Sequence, residues 1–148
     1  MCSSIIRLSN YPNAYDLIFN YNHSICCKLD DNSLSSWINK VIDIGDPLAI
    51  IKNGKIIAFL LLYCNQLDTL EAYICNVYVK EEYRGNKLSV RLVNEAISIC
   101  KSRQFRIINL DVAKDNISAI KVYTQCGFTE TDSYIKDSKE YIKMSYIL

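Results

Sequence analysis

The sequence predicts a mixed α/β fold of one domain over residues 1–148, built in three layers: a central mixed, mostly antiparallel sheet of about seven strands with helices on both faces. Three observations carry that expectation. β-Branched and aromatic runs recur along the chain, apolar stripes at helical spacing stand between them, and no linker, repeat or low-complexity segment interrupts the alternation. Half of the 148 residues are hydrophobic, enough for a core of the chain's own.

Ser4 to Leu8 reads as a short first strand, and Pro12 starts a helical pattern in which Leu17, Ile18 and Tyr21 recur. The polar stretch Asn22 to Asn32 reads as a loop. Ser33 then caps a second helix with an apolar stripe of Leu34, Trp37, Ile38, Val41 and Ile42, ending near Gly45. Leu48 to Lys52 and Lys55 to Tyr63 are strands joined by Asn53-Gly54, the strongest short hairpin signal in the chain. Thr69 to Val79 is the fourth strand, Leu88, Leu92, Ala96 and Ile99 mark the buried face of a third helix, and Arg106 to Val112 is the fifth strand. A helix from Asn116 to Cys126 follows. Phe128 to Ile135 and Glu140 to Ile147 close the chain as an antiparallel pair around Lys136 to Lys139.

Charge and cysteine usage exclude several classes. Seventeen Lys plus Arg against sixteen Asp plus Glu leave a formal net charge of +1, so no global field points to nucleic acid or an anionic membrane. Seven cysteines, at 2, 26, 27, 64, 75, 100 and 126, form no Cys-x-x-Cys pair, and an odd number without a secretory signal argues against a disulfide framework. With His23 the single histidine, a zinc site is not expected. The longest apolar run, Ile56 to Cys64, falls far below the ~20 residues that span a bilayer. The expectation is a cytoplasmic protein with reduced thiols and no metal, nucleic-acid or membrane partner, as a monomer or homodimer.

Two segments carry chemistry. In Val77 to Ser89, VYVKEEYRGNKLS, a β-rich strand ends in a glycine turn that runs into an amphipathic helix. The first turn of a helix has N–H groups without intrahelical partners and the positive end of the macrodipole, so such a junction is an anion cradle. Gly85 permits close approach of the backbone and Arg84 adds charge. In the second segment, Asn116 to Phe128, a good N-cap residue opens a helix with Ala119 and Tyr123 on one face, and Gly127 ends it before a strand.

Together these segments resemble the GNAT superfamily of N-acetyltransferases, over Leu70 to Phe128. The resemblance implies that the backbone at Val77, Tyr78 and Val79 pairs with the pantetheine arm of acetyl-coenzyme A, and that Arg84, Gly85, Asn86, Lys87, Leu88 and Ser89 wrap its pyrophosphate. A bulge in the fourth strand would aim one N–H at the acetyl oxygen. The family has a glycine where Lys87 stands; the lysine either adds charge to the cradle or obstructs it. Tyr123 takes the place of the tyrosine beside the coenzyme sulfur, an acid for the departing thiolate, although a tyrosine on a helix's inner face is also ordinary core material. Glu71 falls where the histone-acetylating branch carries its glutamate base; partial burial would suit that role, and a solvated residue at a strand start is the equal alternative. Asn116 caps its helix, contacts the pantetheine amides, or does both. Cys75 shares a strand face with Glu71, but no histidine nearby in sequence activates it as a nucleophile.

The first two helices would border the acceptor site. The function so implied is direct transfer of acetyl from acetyl-coenzyme A to a primary amine of a small molecule or protein, with no metal and no covalent enzyme intermediate. The alternative is a catalytically silent acyl-coenzyme A-binding or regulatory module of the same fold.

Overall fold

The computed structural model describes residues 4–24 and 30–148. A strand β1 (Ile5–Arg7) leads through a single 3₁₀ turn to helices α1 (Ala14–Ser24) and α2 (Asp31–Ile44). Strands β2 (Asp46–Lys52), β3 (Lys55–Gln66) and β4 (Glu71–Val79) follow, then α3 (Leu88–Ser102), β5 (Ile107–Ala113), α4 (Ile117–Cys126), β6 (Thr129–Lys136) and β7 (Lys139–Ile147). This is the expected order and a seven-stranded sheet, β1-β2-β3-β4-β5-β7-β6, in which β4 and β5 run parallel and the other described neighbours antiparallel.

Two local expectations are corrected. The loop expected over Asn22 to Asn32 is shorter, because α1 continues through Ser24 and α2 begins at Asp31, while 25–29 lie outside the described residues, with Cys26 and Cys27 among them. The cap of α2 is Asp30 rather than Ser33: the Ser33 amide donates to Asp30 Oδ1 at 2.8 Å. A carboxylate accepts from the helix's third N–H better than a hydroxyl placed inside the first turn, and that bond holds the Asp30 carboxyl below its usual range.

Both hairpins are tight for the same reason. Asn53 and Gly54 have φ of 52° and 72°, Asp137 and Ser138 have 52° and 63°, and two successive left-handed residues give the turn twist that matches paired strands.

The sheet has a core on each face. Leu48, Ile50, Ala58, Leu60, Ile74, Ile108, Leu110 and Met144 pack on one side with Leu92, Ala96 and Ile99 of α3 and Tyr123 of α4. On the other, Ala49, Phe59 and Leu61 pack with Ile18 of α1 and Leu34, Ile38 and Val41 of α2. The fully buried part of the second core stops at β3, where α1 and α2 pack on β2 and β3, and Tyr78 of β4 packs at its edge against Tyr21. On that face β5, β7 and β6 present polar side chains, among them Asn109, Asp111, Lys143 and Ser145, where the opposite face presents Ile108, Leu110, Ile142 and Met144.

One irregularity positions the site. Leu61 pairs with Asn76 but Leu62 pairs with Ile74, so Cys75 is an extra residue, a bulge in β4. Before it Ala72 and Ile74 enter the α3 core; after it Val77 and Val79 do, so the side-chain alternation slips by one. Pairing between β4 and β5 ends just there, at Ile74 with Leu110, and the two strands part toward their C-terminal ends.

Candidate active site

The opening between the parted strands leads into a cavity of about 520 Å³, bounded by β4, the start of α3 and the inner side of α4. Val77, Tyr78 and Val79 form one wall. Their backbone lies beyond the last β4–β5 pair, leaving the β5 side of the strand without ladder partners in this sheet. This is the geometry in which an extended amide-bearing chain can add itself as a strand.

Arg84, Gly85, Lys87, Leu88 and Ser89 line the second side. Gly85 has φ +86°, and nothing lies within 4 Å of where a Cβ would stand, so glycine serves the backbone conformation here rather than a close contact. Lys87 adopts the left-handed region, φ 58° and ψ 28°, at the N-cap of α3, and no side chain caps that helix. The first-turn N–H groups of α3 are therefore left for another acceptor. The conformation also explains why a glycine suits this position: a Cβ makes it costly. Arg84 Nε donates to the Val79 carbonyl at 3.0 Å, and its guanidinium lies 5.7 Å from the Tyr78 ring centroid, which fixes a positive charge at the mouth. Asn86 does not line the cavity; its amide donates to the Tyr83 carbonyl at 3.0 Å and closes the turn.

The third side belongs to α4. Asn116 Oδ1 accepts from the Ala119 amide at 3.3 Å and from the Ser118 hydroxyl at 3.2 Å, so its oxygen is occupied in capping, and the residue lines the cavity. Gly127 ends the helix at φ +105°, where a Cβ would come within 2.9 Å of the Tyr146 ring. Tyr123 lines the cavity yet is only 8% exposed, packing edge-on to Phe128 with ring centroids 6.0 Å apart. Tyr123 is thus both core packing and cavity wall. Burial pushes its phenol up to about 12, so it stays protonated at neutral pH.

Glu71 is not brought to this cavity. It is exposed at the first residue of β4, six residues before Val77, a separation of roughly 20 Å along an extended strand. The partial burial on which a role as base depended is absent. It borders instead a hollow of about 220 Å³ on the polar face, with Tyr63, Tyr73 and Asn109. Cys75 is the bulge residue; its surface is exposed, yet partial desolvation of the thiol raises it, which disfavours the thiolate a nucleophile needs.

Several residues escaped sequence reasoning. Tyr83, Val90, Ser118, Val122 and Gln125 also line the cavity; Val122 stands three residues after Ala119 and four after Ser118, a helical spacing that was the available signal. Asp111 is the other. It is the first residue of β5 past the last pair with β4, and the Tyr73 hydroxyl donates to its Oδ2 at 2.9 Å. In sequence it is one charge between Leu110 and Val112, indistinguishable from a solvated strand residue.

The family model described as Acetyltransferase (GNAT) family matches residues 13–128. The chain belongs to this family. An uncharacterised N-acetyltransferase of Methanocaldococcus jannaschii is 34% identical over 84 residues, 54% of this chain and 37% of its own length. N-alpha-acetyltransferase 30 of Schizosaccharomyces pombe is 32% identical over 60 residues, 40% of each. The matches thus span well under two thirds of these relatives. Among solved structures, the ribosomal-protein-S18-alanine N-acetyltransferase of Escherichia coli superposes with a TM-score of 0.77 at 22% identity, over 99% of this chain and 94% of that one, a likeness of fold. The β4–β5 opening, the uncapped α3 and the α4 tyrosine are therefore features of a GNAT domain. Among the described residues no three His, Cys, Asp or Glu side chains are grouped to hold a metal, Cys64, Cys75, Cys100 and Cys126 are free thiols, and no helix is long and apolar enough to cross a membrane.

Proposed function

We propose that this GNAT domain is an acetyl-coenzyme A-dependent N-acetyltransferase that passes acetyl directly to a primary amine, and that the amine is the free amino end of a peptide or protein. The observation that carries the reading is the coincidence at one cavity of an unpaired strand backbone, an uncapped helix start with a fixed arginine, and a buried tyrosine. Acetyl-coenzyme A fits this arrangement by its chemistry. It supplies a thioester, an anionic pyrophosphate for the α3 start with Arg84 and Lys87, and amides for the edge at Val77 to Val79.

Within that assignment the residues divide the work. The backbone around the Cys75 bulge supplies N–H donors for the oxyanion that forms as the amine attacks the thioester carbonyl. Tyr123 donates a hydrogen bond to the departing sulfur. With its phenol near about 12 and an ordinary thiol at ~8.5, complete proton transfer is uphill, so the stabilisation is that of a neutral donor on a thiolate. Arg84, Lys87 and the α3 amides hold; they do not react. Glu71 is given no part in the transfer, and water carries the amine's proton away.

The peptide acceptor is supported by the name of the Schizosaccharomyces pombe relative, an N-alpha-acetyltransferase. Residence in the cytoplasm accords with the free thiols and belongs to the same proposal. The experiment is a panel of small amines and free-amine peptides incubated with acetyl-coenzyme A and read by product mass, beside the rise in melting temperature with the cofactor alone. Acetylated peptide at rates well above small amines is expected. A cofactor-dependent melting shift with no acetylated product would leave a silent binding module.

A further inference from the structure

We propose that Cys64, near the end of β3, and Cys100, in the last turn of α3, are a redox modification site: hydrogen peroxide joins them in a reversible disulfide that ties the far end of α3 to the sheet and leaves the cavity intact. The site is independent of the transfer chemistry. Cys64 is 4% exposed and Cys100 fully buried, both in the core on the α3 side of the sheet, and their thiols are hydrogen-bond partners. Arg103, three residues after Cys100, ends α3 and donates from Nη1 to the Cys64 carbonyl at 3.2 Å, so helix end and strand are docked at this point. The same guanidinium grips the Asp46 carboxylate of β2 through two hydrogen bonds of 2.6 and 2.8 Å, which fixes it beside Cys64.

Sulfurs in hydrogen-bond contact need only a short approach to reach the ~2.0 Å of an S–S bond. The strand has slack for it: pairing of β3 with β4 slips between Tyr63 and Gln66, so Cys64 sits in an irregular stretch of the ladder. The two thiols are unequal. The hydrogen bond from Cys100, helped by the Arg103 guanidinium, holds the Cys64 thiol below its ordinary range against the effect of burial. That same bond, and then burial, hold Cys100 well above it. Cys64 is therefore the attacking sulfur and Cys100 the resolving one. The Cys64 sulfur attacks one peroxide oxygen, the O–O bond breaks, and Cys64 becomes a sulfenic acid while the departing hydroxide takes the thiol proton as water. The Cys100 sulfur then attacks the Cys64 sulfur; the S–S bond forms, the S–O bond breaks, and the second hydroxide leaves with the Cys100 proton. Two thiols lose two electrons and one peroxide becomes two waters. The bond closes residues 64–100 into a loop that holds the Cys75 bulge, the strand edge at Val77 to Val79 and the start of α3. Its position is about 18 Å along α3 from Leu88, remote from the anion cradle.

The test treats the full chain with a slight excess of hydrogen peroxide, alkylates the remaining thiols and maps disulfide-linked peptides by mass. A Cys64–Cys100 linked peptide should form, and disappear on reduction with dithiothreitol. The oxidised protein should melt about 5 °C or more above the reduced protein, the scale of closing a loop of this length, and return to the lower value on reduction. Acetyl-coenzyme A affinity should stay within about twofold between the two forms. Cys100→Ala should show no such rise, and should instead leave Cys64 as a sulfenic acid that a 1,3-dione probe labels, a signature that packing alone does not produce. The map of the parent needs no variant, so it decides even where a variant folds poorly. Absence of the linked peptide in the parent, a melting rise that survives in Cys100→Ala, an unlabelled Cys64 in that variant, or a tenfold loss of acetyl-coenzyme A affinity on oxidation overturns the proposal.

Discussion

The two helices that bound the cavity begin in opposite ways. At α4 the side chain of Asn116 takes up the Ala119 amide, and the helix start is satisfied from within the chain. At α3 no side chain caps, the preceding residue is a lysine forced into the left-handed region, and the first-turn donors are left for a ligand. The difference separates stability from binding: α4 is closed at its start and offers its middle, Tyr123, while α3 gives up a cap and offers its end. A helix start left uncapped beside a fixed arginine forgoes about 1 kcal/mol of stability, which a bound anion returns.

The sharpest way to break this division is Tyr123→Phe. It should lower kcat roughly ten- to a hundredfold while the dissociation constant for acetyl-coenzyme A stays put, because α4 is assigned to chemistry and α3 to holding. Equal kcat, or an activity loss matched by a collapsed melting temperature, returns Tyr123 to the core alone. The same variant carries a pH signature. The folded phenol is raised from about 10 to about 12, so its share of stability is complete below pH 10 and lost as pH rises toward 12. Alkaline melting curves of Tyr123→Phe should therefore fall less steeply over that interval than those of the parent.

Next in size is Arg84→Ala. Its guanidinium is fixed by the Val79 carbonyl, so its loss should weaken acetyl-coenzyme A binding about tenfold in calorimetry and leave kcat at saturation nearly unchanged. A fall in kcat with unaltered affinity would contradict the separation of roles. Asn116→Ala then probes the other helix start. It should cost about 1 kcal/mol of stability by denaturant titration and change cofactor affinity less than twofold; a large affinity loss would mean that the free NH₂ of Asn116 holds the ligand as well.

The smallest effect, and the most discriminating at α3, is expected from Lys87→Gly. Relief of a left-handed non-glycine residue should raise stability by about 1 kcal/mol, a gain Lys87→Ala should not show. Both variants should bind acetyl-coenzyme A a few-fold more weakly at low salt, converging on the parent as salt rises. Tighter binding by the glycine variant at every salt concentration would identify the lysine as an obstruction.

Element order, both tight hairpins and the two helices around the cavity were legible in the sequence because each rests on local rules: alternation, helical spacing, Asn53-Gly54, Asn116 and Gly127. Asp30 as the cap of α2 was missed because Ser33 is an equally good cap by residue type, and only the backbone shows which of them stands outside the helix.

What the sequence by itself determined, then, is what neighbours along the chain decide: which stretches pair or coil, and that a glycine turn and a helix start stand next to each other. The tertiary structure decided what depends on register. The bulge at Cys75 shifts the alternation of β4 and coincides with the end of its pairing to β5, and it cannot be read from one strand because it exists only against a partner. For the same reason two acidic residues of equal appearance differ in position. Glu71 begins a strand still in the ladder, whereas Asp111 lies where the ladder ends, beside a tyrosine brought from another strand.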